Sequence, residues 1–264
     1  SMDEDPLKAI RAKKESSIIG CMQLLKEKKV EAVFSAGSTG ATLISAITIL
    51  GKQKGVIRPA IASVLPTING SVILLDSGAS LDVKPKVLYQ FAVIGSKLAE
   101  VLLDIDKPRV GLLNNGEEES KGRDLEKSAY KLLSSSNLNF IGNVEGRDFA
   151  NEKVDVFVTD GFTGNVVLKT LEGTARLQQK LISDSLNRNL LKPLLPIVKN
   201  AFKPVKDKLN PDKTNASYLL GVDGLVTIGH GSSKQEAIKN GIKYTSSSIQ
   251  KDFIGKFSET LKEL

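Results

Sequence analysis

Apolar positions along the chain follow two different periods. Short runs of strand length, rich in β-branched residues, recur at 31–35, 60–65, 71–75, 109–113, 139–141, 154–158 and 224–228, as half-buried or buried strands require. Between them the spacing becomes helical. Residues 6–29 carry Leu7, Ile10, Ile18, Met22 and Leu25, and residues 41–50 form an apolar helix that ends at Gly51. Residues 85–103 place Leu88, Phe91, Ala92, Gly95 and Leu98 on one face, and 124–133 is a shorter helix. A long amphipathic helix is expected from Asn165 through Leu186, and a last one from Lys234 with Ala237, Ile238 and Ile242 inward. Asn69-Gly70 between two apolar runs is a strong hairpin signal. This alternation predicts an α/β fold, a mainly parallel sheet with helices on both faces, as a single domain over residues 1–264.

Four strands run straight into polar or Gly-rich turns and then helices, after Ser35, Leu113, Thr159 and Ile228. In a parallel sheet such turns share the carboxyl edge, where open α/β sheets bind ligands. Ser38, Thr39, Lys121, Asn165, His230 and Ser232 are therefore expected around one pocket. Gly37 and Gly40 let backbone approach a ligand, while Ser38 and Thr39 either cap the helix or bond an oxyanion. Asn165 is expected to open its helix, whose first N–H groups and positive dipole end favour an anion. The three Glu before Lys121 suit a solvated loop, or a loop that holds one ammonium over the sheet. His230, the only histidine, lies between two glycines at the end of a strand. Each of these features also has a purely structural reading, and Ser233-Lys-Gln-Glu236 fits a capping box that explains Ser233 without any ligand.

Charge narrows the partners. With 37 basic against 30 acidic residues, the net charge of +7 favours an anionic substrate, an acidic partner or an anionic membrane surface. No nucleic-acid partner is expected, because aromatics are 5% of the chain and Trp is absent, which leaves few stacking platforms. The single Cys21 excludes a disulfide framework and a cysteine-rich metal site; no metal or cofactor is expected, and the default location is cytoplasmic. No stretch reaches the roughly 18–20 apolar residues of a membrane span. Residues 190–205 differ in kind: Leu190, Leu191, Leu194, Leu195 and Val198 alternate with Lys and are interrupted by prolines. That pattern suits a helical dimer- or membrane-contact subregion over 175–213, protruding from the fold, or else ordinary core packing.

Five segments, in order and spanning nearly the whole chain, resemble the PlsX family of bacterial phosphate acyltransferases. They are Ser35-Ala-Gly-Ser-Thr-Gly-Ala41; Leu81-Asp-Val-Lys-Pro85 with Gln90-Phe-Ala-Val-Ile-Gly-Ser96; Leu112-Leu-Asn-Asn-Gly-Glu117 through Lys121-Gly122; Asp160-Gly-Phe-Thr-Gly-Asn-Val166 with Lys169-Thr170; and Leu220-Gly-Val-Asp-Gly224 with His230-Gly-Ser-Ser233. Ser38 departs from the family, which more often shows Asn there, and the family's initial strand-rich segment with a Gly-Gly-Asp turn has no match. The resemblance implies a fold like that of isocitrate and isopropylmalate dehydrogenases and phosphate acetyltransferases. It also implies transfer of a fatty acyl group from acyl carrier protein to inorganic phosphate for phospholipid synthesis, by a homodimer at the inner face of the membrane. Catalytic roles then fall on Lys121 and Asn165, and substrate or phosphate contacts on Ser38, Thr39, Gly40, Asp160, Gly161, Gly164, His230, Gly231 and Ser232.

The chemistry agrees with that expectation. One His, one Cys and no nucleophile elbow leave no evident covalent acyl-enzyme. None is needed, since phosphate is itself a nucleophile that has only to be held against a thioester carbonyl. A coenzyme A-dependent phosphate acetyl- or butyryltransferase is the nearest alternative, and a non-catalytic membrane-docking module is another. A dehydrogenase of the isocitrate type lacks support, because neither a paired-Asp metal site nor G-x-G-x-x-G is present.

Overall fold

The computed structural model describes residues 6–186, 200–201, 203–205, 208, 216–231, 233–251, 253, 255 and 257. The strands are β1 (Ala32–Ser35), β2 (Ala60–Pro66), β3 (Ser71–Leu75), β4 (Val110–Leu113), β5 (Phe140–Val144), β6 (Val156–Val158), β7 (Ser217–Leu220) and β8 (Leu225–Ile228). Among the described residues the α-helices are α1 (Pro6–Ala12), α2 (Ser17–Lys26), α3 (Thr39–Ile49), α4 (Pro85–Leu103), α5 (Asp124–Ser134), α6 (Gly161–Leu186) and α7 (Gln235–Gln250). Among the described residues all strands join one sheet, in the order β1-β8-β7-β2-β3-β6-β4-β5.

Strand direction is the main departure from expectation. The pairs β1–β8, β3–β6, β6–β4 and β4–β5 are parallel, so parallel pairing predominates. The three pairs around β2 and β7 are antiparallel. The Asn69-Gly70 hairpin forms, with Thr67 donating to the Gly70 carbonyl at 3.0 Å, and it reverses the chain between β2 and β3. β7, which no sequence pattern announced, runs antiparallel between β2 and β8, so these two point the same way. The carboxyl ends of β1 and β8 consequently point to one edge of the sheet and those of β4 and β6 to the opposite edge. The four turns do not share an edge.

Side chains alternate across the sheet as the pleat requires. On β2, Ala60 and Ala62 enter the core beneath α4, α5 and α7. Ile61 enters a second core with Met22 of α2 and Ala46 of α3, and Leu65 a third with Phe157 and Leu168 of α6. One face thus carries a continuous core and the other carries two, separated.

Smaller differences have local causes. The helix expected over 6–29 is two, because Ser16 adopts an extended conformation (φ −65°, ψ 147°) ahead of α2, a conformation typical of a helix N-cap. α7 has Lys234 at its N-cap with no side-chain bond, so the expected capping box at Ser233 does not form. α6 begins at Gly161, which places Asn165 one turn inside the helix and not at its start.

Candidate active site

The gap between the two cores of the divided face is a cavity of about 320 Å³ over β2, β7 and β8, walled by α3 and α6. Its floor is polar. Ser63 lies on the same face of β2 as Ile61 and Leu65, and its Oγ is 2.8 Å from Ser77 Oγ and 2.9 Å from Ser217 Oγ. Ser77 in turn donates to the Ile61 carbonyl at 2.9 Å. Three linked hydroxyls at this point prevent the two cores from merging, since a buried hydroxyl must keep its partners. The walls bring Thr39 and Gly40 from α3, Asn165, Leu168 and Lys169 from α6, and Gly229 and His230 from the end of β8.

α6 reaches β8 by crossing the face. Its first turn is held where β6 ends: Gly161 donates to the Ser80 carbonyl at 2.8 Å, and a Cβ on Gly164 would stand 1.9 Å from the Asp76 carbonyl oxygen. Gly161 and Gly164 are thus glycines because the helix lies against the 76–80 loop, and neither lines the cavity. Asp76 anchors that loop by accepting from Ile61 N at 2.9 Å and Ser80 N at 2.7 Å, among other backbone groups. Burial pushes its carboxyl up to about 6, against the pull of these N–H donors. Eleven residues on from Gly161, about 16 Å at 1.5 Å per residue, Glu172 meets His230 at the opposite edge, Oε1 to Nε2 at 3.0 Å.

Electrostatics centre on Glu172. Lys169 Nζ also binds it, at 3.0 Å, so one carboxylate holds two basic groups at the cavity. Burial works to raise the Glu172 carboxyl, but the hydrogen bonds from His230 and Lys169 outweigh it and hold the group at about 2. His230 is half-buried and Lys169 exposed, leaving both able to turn toward an anion. Phosphate between them would gain charge-assisted hydrogen bonds.

The start of α6, expected to hold an anion, already holds one. Asp160 accepts from Thr163 N at 2.8 Å and Thr163 Oγ1 at 3.0 Å, and it is paired with Arg123, which also binds Glu126. Asp160 is buried and is not among the residues that line the cavity. Ser38 is the N-cap of α3, its Oγ accepting from Ala41 N at 3.4 Å, and does not line the cavity either; nor does Gly231. Lys121 stands on the loop after β4, exposed and apart from the cavity. That loop is fixed by Asn143 Nδ2 donating to the Glu118 carbonyl at 2.8 Å and Asn114 Nδ2 to the Lys121 carbonyl at 3.2 Å. Of the expected site residues the structure brings together Thr39, Gly40, Asn165 and His230. Ser232, Leu190, Leu191, Leu194, Leu195 and Val198 lie outside the described residues. Among the described residues no group of three His, Cys, Asp or Glu side chains is placed to hold a metal ion, and no helix is long and apolar enough to cross a membrane.

The family model described as "Fatty acid synthesis protein" matches residues 1–256. A phosphate acyltransferase of Thermoanaerobacterium thermosaccharolyticum is 45% identical over 253 residues, 96% of this chain and 76% of that protein. A phosphate acyltransferase of Halothermothrix orenii is 44% identical, covering 100% of this chain and 80% of that one. The chain belongs to the phosphate acyltransferase family. Its fold is similar to that of a phosphotransacetylase from Streptococcus pyogenes, with a TM-score of 0.56 and 16% identity over 88% of this chain and 67% of that chain. A branched-chain phosphotransacylase from Enterococcus faecalis V583 gives 0.54 and 11% over 88% and 78%. For a phosphate acyltransferase, the cavity adds Ser63, Ser77, Ser217 and Lys169 to the residues expected from sequence. Ser63 was the readable one, a lone hydroxyl between Ile61 and Leu65 in an otherwise apolar strand.

Proposed function

We propose that this chain transfers a fatty acyl group from acyl carrier protein to inorganic phosphate, releasing acyl phosphate and the free carrier thiol for phospholipid synthesis. The observation that carries the reading is a cavity in which Lys169 and His230, steadied by one carboxylate, face Asn165 and Thr39 across a hydroxyl floor. Phosphate held there attacks the thioester carbonyl. A C–O bond to phosphate forms, the C–S bond breaks through a tetrahedral oxyanion, and the departing thiolate takes a proton. Positioning and preorganised donors suffice for this chemistry.

The resemblance assigns Lys121 to the same reaction, as the cation on phosphate or on the oxyanion. Replacing Lys121 with Ala should then cost roughly a hundredfold in turnover, the scale of one lost oxyanion donor; a near-normal rate removes the role and leaves Lys169 as the cavity's cation. The deciding experiment incubates the protein with acyl-carrier-protein thioester and labelled phosphate and looks for acyl phosphate. Product from a coenzyme A thioester alone would move the donor assignment, and no product from either would leave a docking module.

The same reading makes the protein a homodimer that rests on the inner membrane face through residues 175–213. The exposed Leu177 and Leu181 on the outer part of α6 support it. Co-sedimentation with anionic vesicles tests it, and binding unchanged by Leu194→Glu with Leu195→Glu removes it.

A further inference from the structure

A second concavity begins where the cavity ends. Leu65 and Leu168 line both. Beyond them runs a groove of about 580 Å³ between the β2–β3 hairpin and the outer face of α6, within the roughly 300–1,000 Å³ typical of ligand pockets. Its walls are mostly hydrocarbon: Ile68 and Leu171 stand 69% and 37% exposed, with Phe149 and Ala175 beside them. Lys208 donates to the Ile68 carbonyl and joins two of these walls. Contiguous apolar surface left open to water marks a ligand or partner site. Glu172 stands at the junction, lining the groove while it binds His230 and Lys169 of the cavity.

A polar cavity with two basic groups and an apolar groove, meeting at a wall formed by Leu65 and Leu168, together have the shape of an amphiphile. We propose that the groove holds the hydrocarbon chain of a long-chain acyl donor, extended along α6 from Leu168 toward Ala175, with its carbonyl at the Leu65–Leu168 junction beside the bound phosphate. This rests on the acyl-transfer reading and adds to it where the chain goes and what limits its length. The shared Leu65–Leu168 wall, with Glu172 lining the groove while it binds two groups of the cavity, is what selects this occupant. A second copy of this chain seated on the groove would bury the same surface without placing any group at the junction.

Ala175→Phe tests it by filling the groove beyond the junction. The ratio of acyl phosphate formation from hexadecanoyl to that from butyryl carrier protein should fall at least about tenfold, the loss of some two buried methylenes. An unchanged ratio overturns the groove while leaving the transfer reaction standing, and so does an unchanged ratio in a variant that has turned from dimer to monomer. If the wild type forms no acyl phosphate, the transfer reading fails and the groove is judged by binding alone. A fluorescent polyene fatty acid bound by wild type and weakened at least tenfold by Ala175→Phe supports it; equal binding by both proteins, or by neither, overturns it.

Discussion

The two edges of the sheet solve the problem of charge in opposite ways. Where β4 and β6 end, every buried carboxylate is matched: Asp160 and Glu126 share Arg123, and Asp76 is ringed by backbone N–H groups. Where β1 and β8 end, Glu172 has two basic partners and a cavity lies open beside them. The first edge is a clamp for the start of α6 and the second is a place where an anion can still be received. A loop rich in Gly and charge is therefore not enough to mark a binding site. What separates the two is whether the donors are already spent.

The clamp breaks hardest at Gly164. A Cβ there would stand 1.9 Å from the Asp76 carbonyl oxygen, a backbone atom that cannot rotate away, so Gly164→Ala should cost about 3 kcal/mol or more by overpacking. Urea denaturation measures it, and a loss below about 0.5 kcal/mol would show that α6 is not clamped. Arg123→Ala comes next. It leaves Asp160 and Glu126 buried at 2% and 7% side-chain exposure without their cation, while Arg123 itself is 59% exposed. The cost should fall below the 3–5 kcal/mol of a fully buried pair, at about 2 kcal/mol. Equal stability to wild type would mean that the Thr163 hydrogen bonds hold Asp160 unaided.

Element types were legible in the sequence because each rests on local periodicity: the strands at 31–35 and 109–113, the Asn69-Gly70 hairpin and the long helix of 161–186 all appear close to their expected bounds. Strand direction was not, because it depends on which strands pair. Ser217 to Leu220 is four residues beside a polar segment, with nothing to announce a strand, yet as β7 it stands antiparallel to both β2 and β8, while the reversal that divides the sheet falls at the β2–β3 hairpin. The error carried over to the site. Thr39 and His230 reached the cavity from β1 and β8 as expected, but Asn165 arrived because a helix of the right length crosses the face, and Lys169 came with it. Asp160 shows the converse case. A carboxylate at a helix start reads as part of a site, and only its ion pair with Arg123 shows that it is structural.

At the open edge the effects are on binding more than on folding. Lys169→Ala removes one of two basic groups facing the cavity, so the KM for phosphate should rise about tenfold, close to the value of one charge-assisted hydrogen bond, with kcat changed less. Unfolding midpoints should stay near wild type, because Lys169 is 52% exposed and its pair with Glu172 is screened. The comparison between edges sharpens if Arg123→Ala shifts stability and not KM while Lys169→Ala does the reverse. It collapses if both variants move the same quantity.

Glu172→Gln is the mildest test and the one that reads pH. The side chain is 10% exposed and keeps its shape in the variant, but the amide gives up the charge that holds Lys169 and His230. The folded carboxyl sits at about 2, below its ordinary value of 4.5. A depressed carboxyl stabilises the fold fully above the unfolded value and loses that contribution as pH falls through the folded one. The stability gap between wild type and Glu172→Gln should therefore be constant from pH 7 to about 5, then narrow steadily toward pH 2. With Lys169 half in solvent, the gap should stay below about 1 kcal/mol. Denaturation of both proteins across this range measures it. A gap that is unchanged at pH 3, or that widens, would mean the carboxylate is not held by Lys169 and His230, and the open edge would then have no anchored charge with which to present His230 to phosphate.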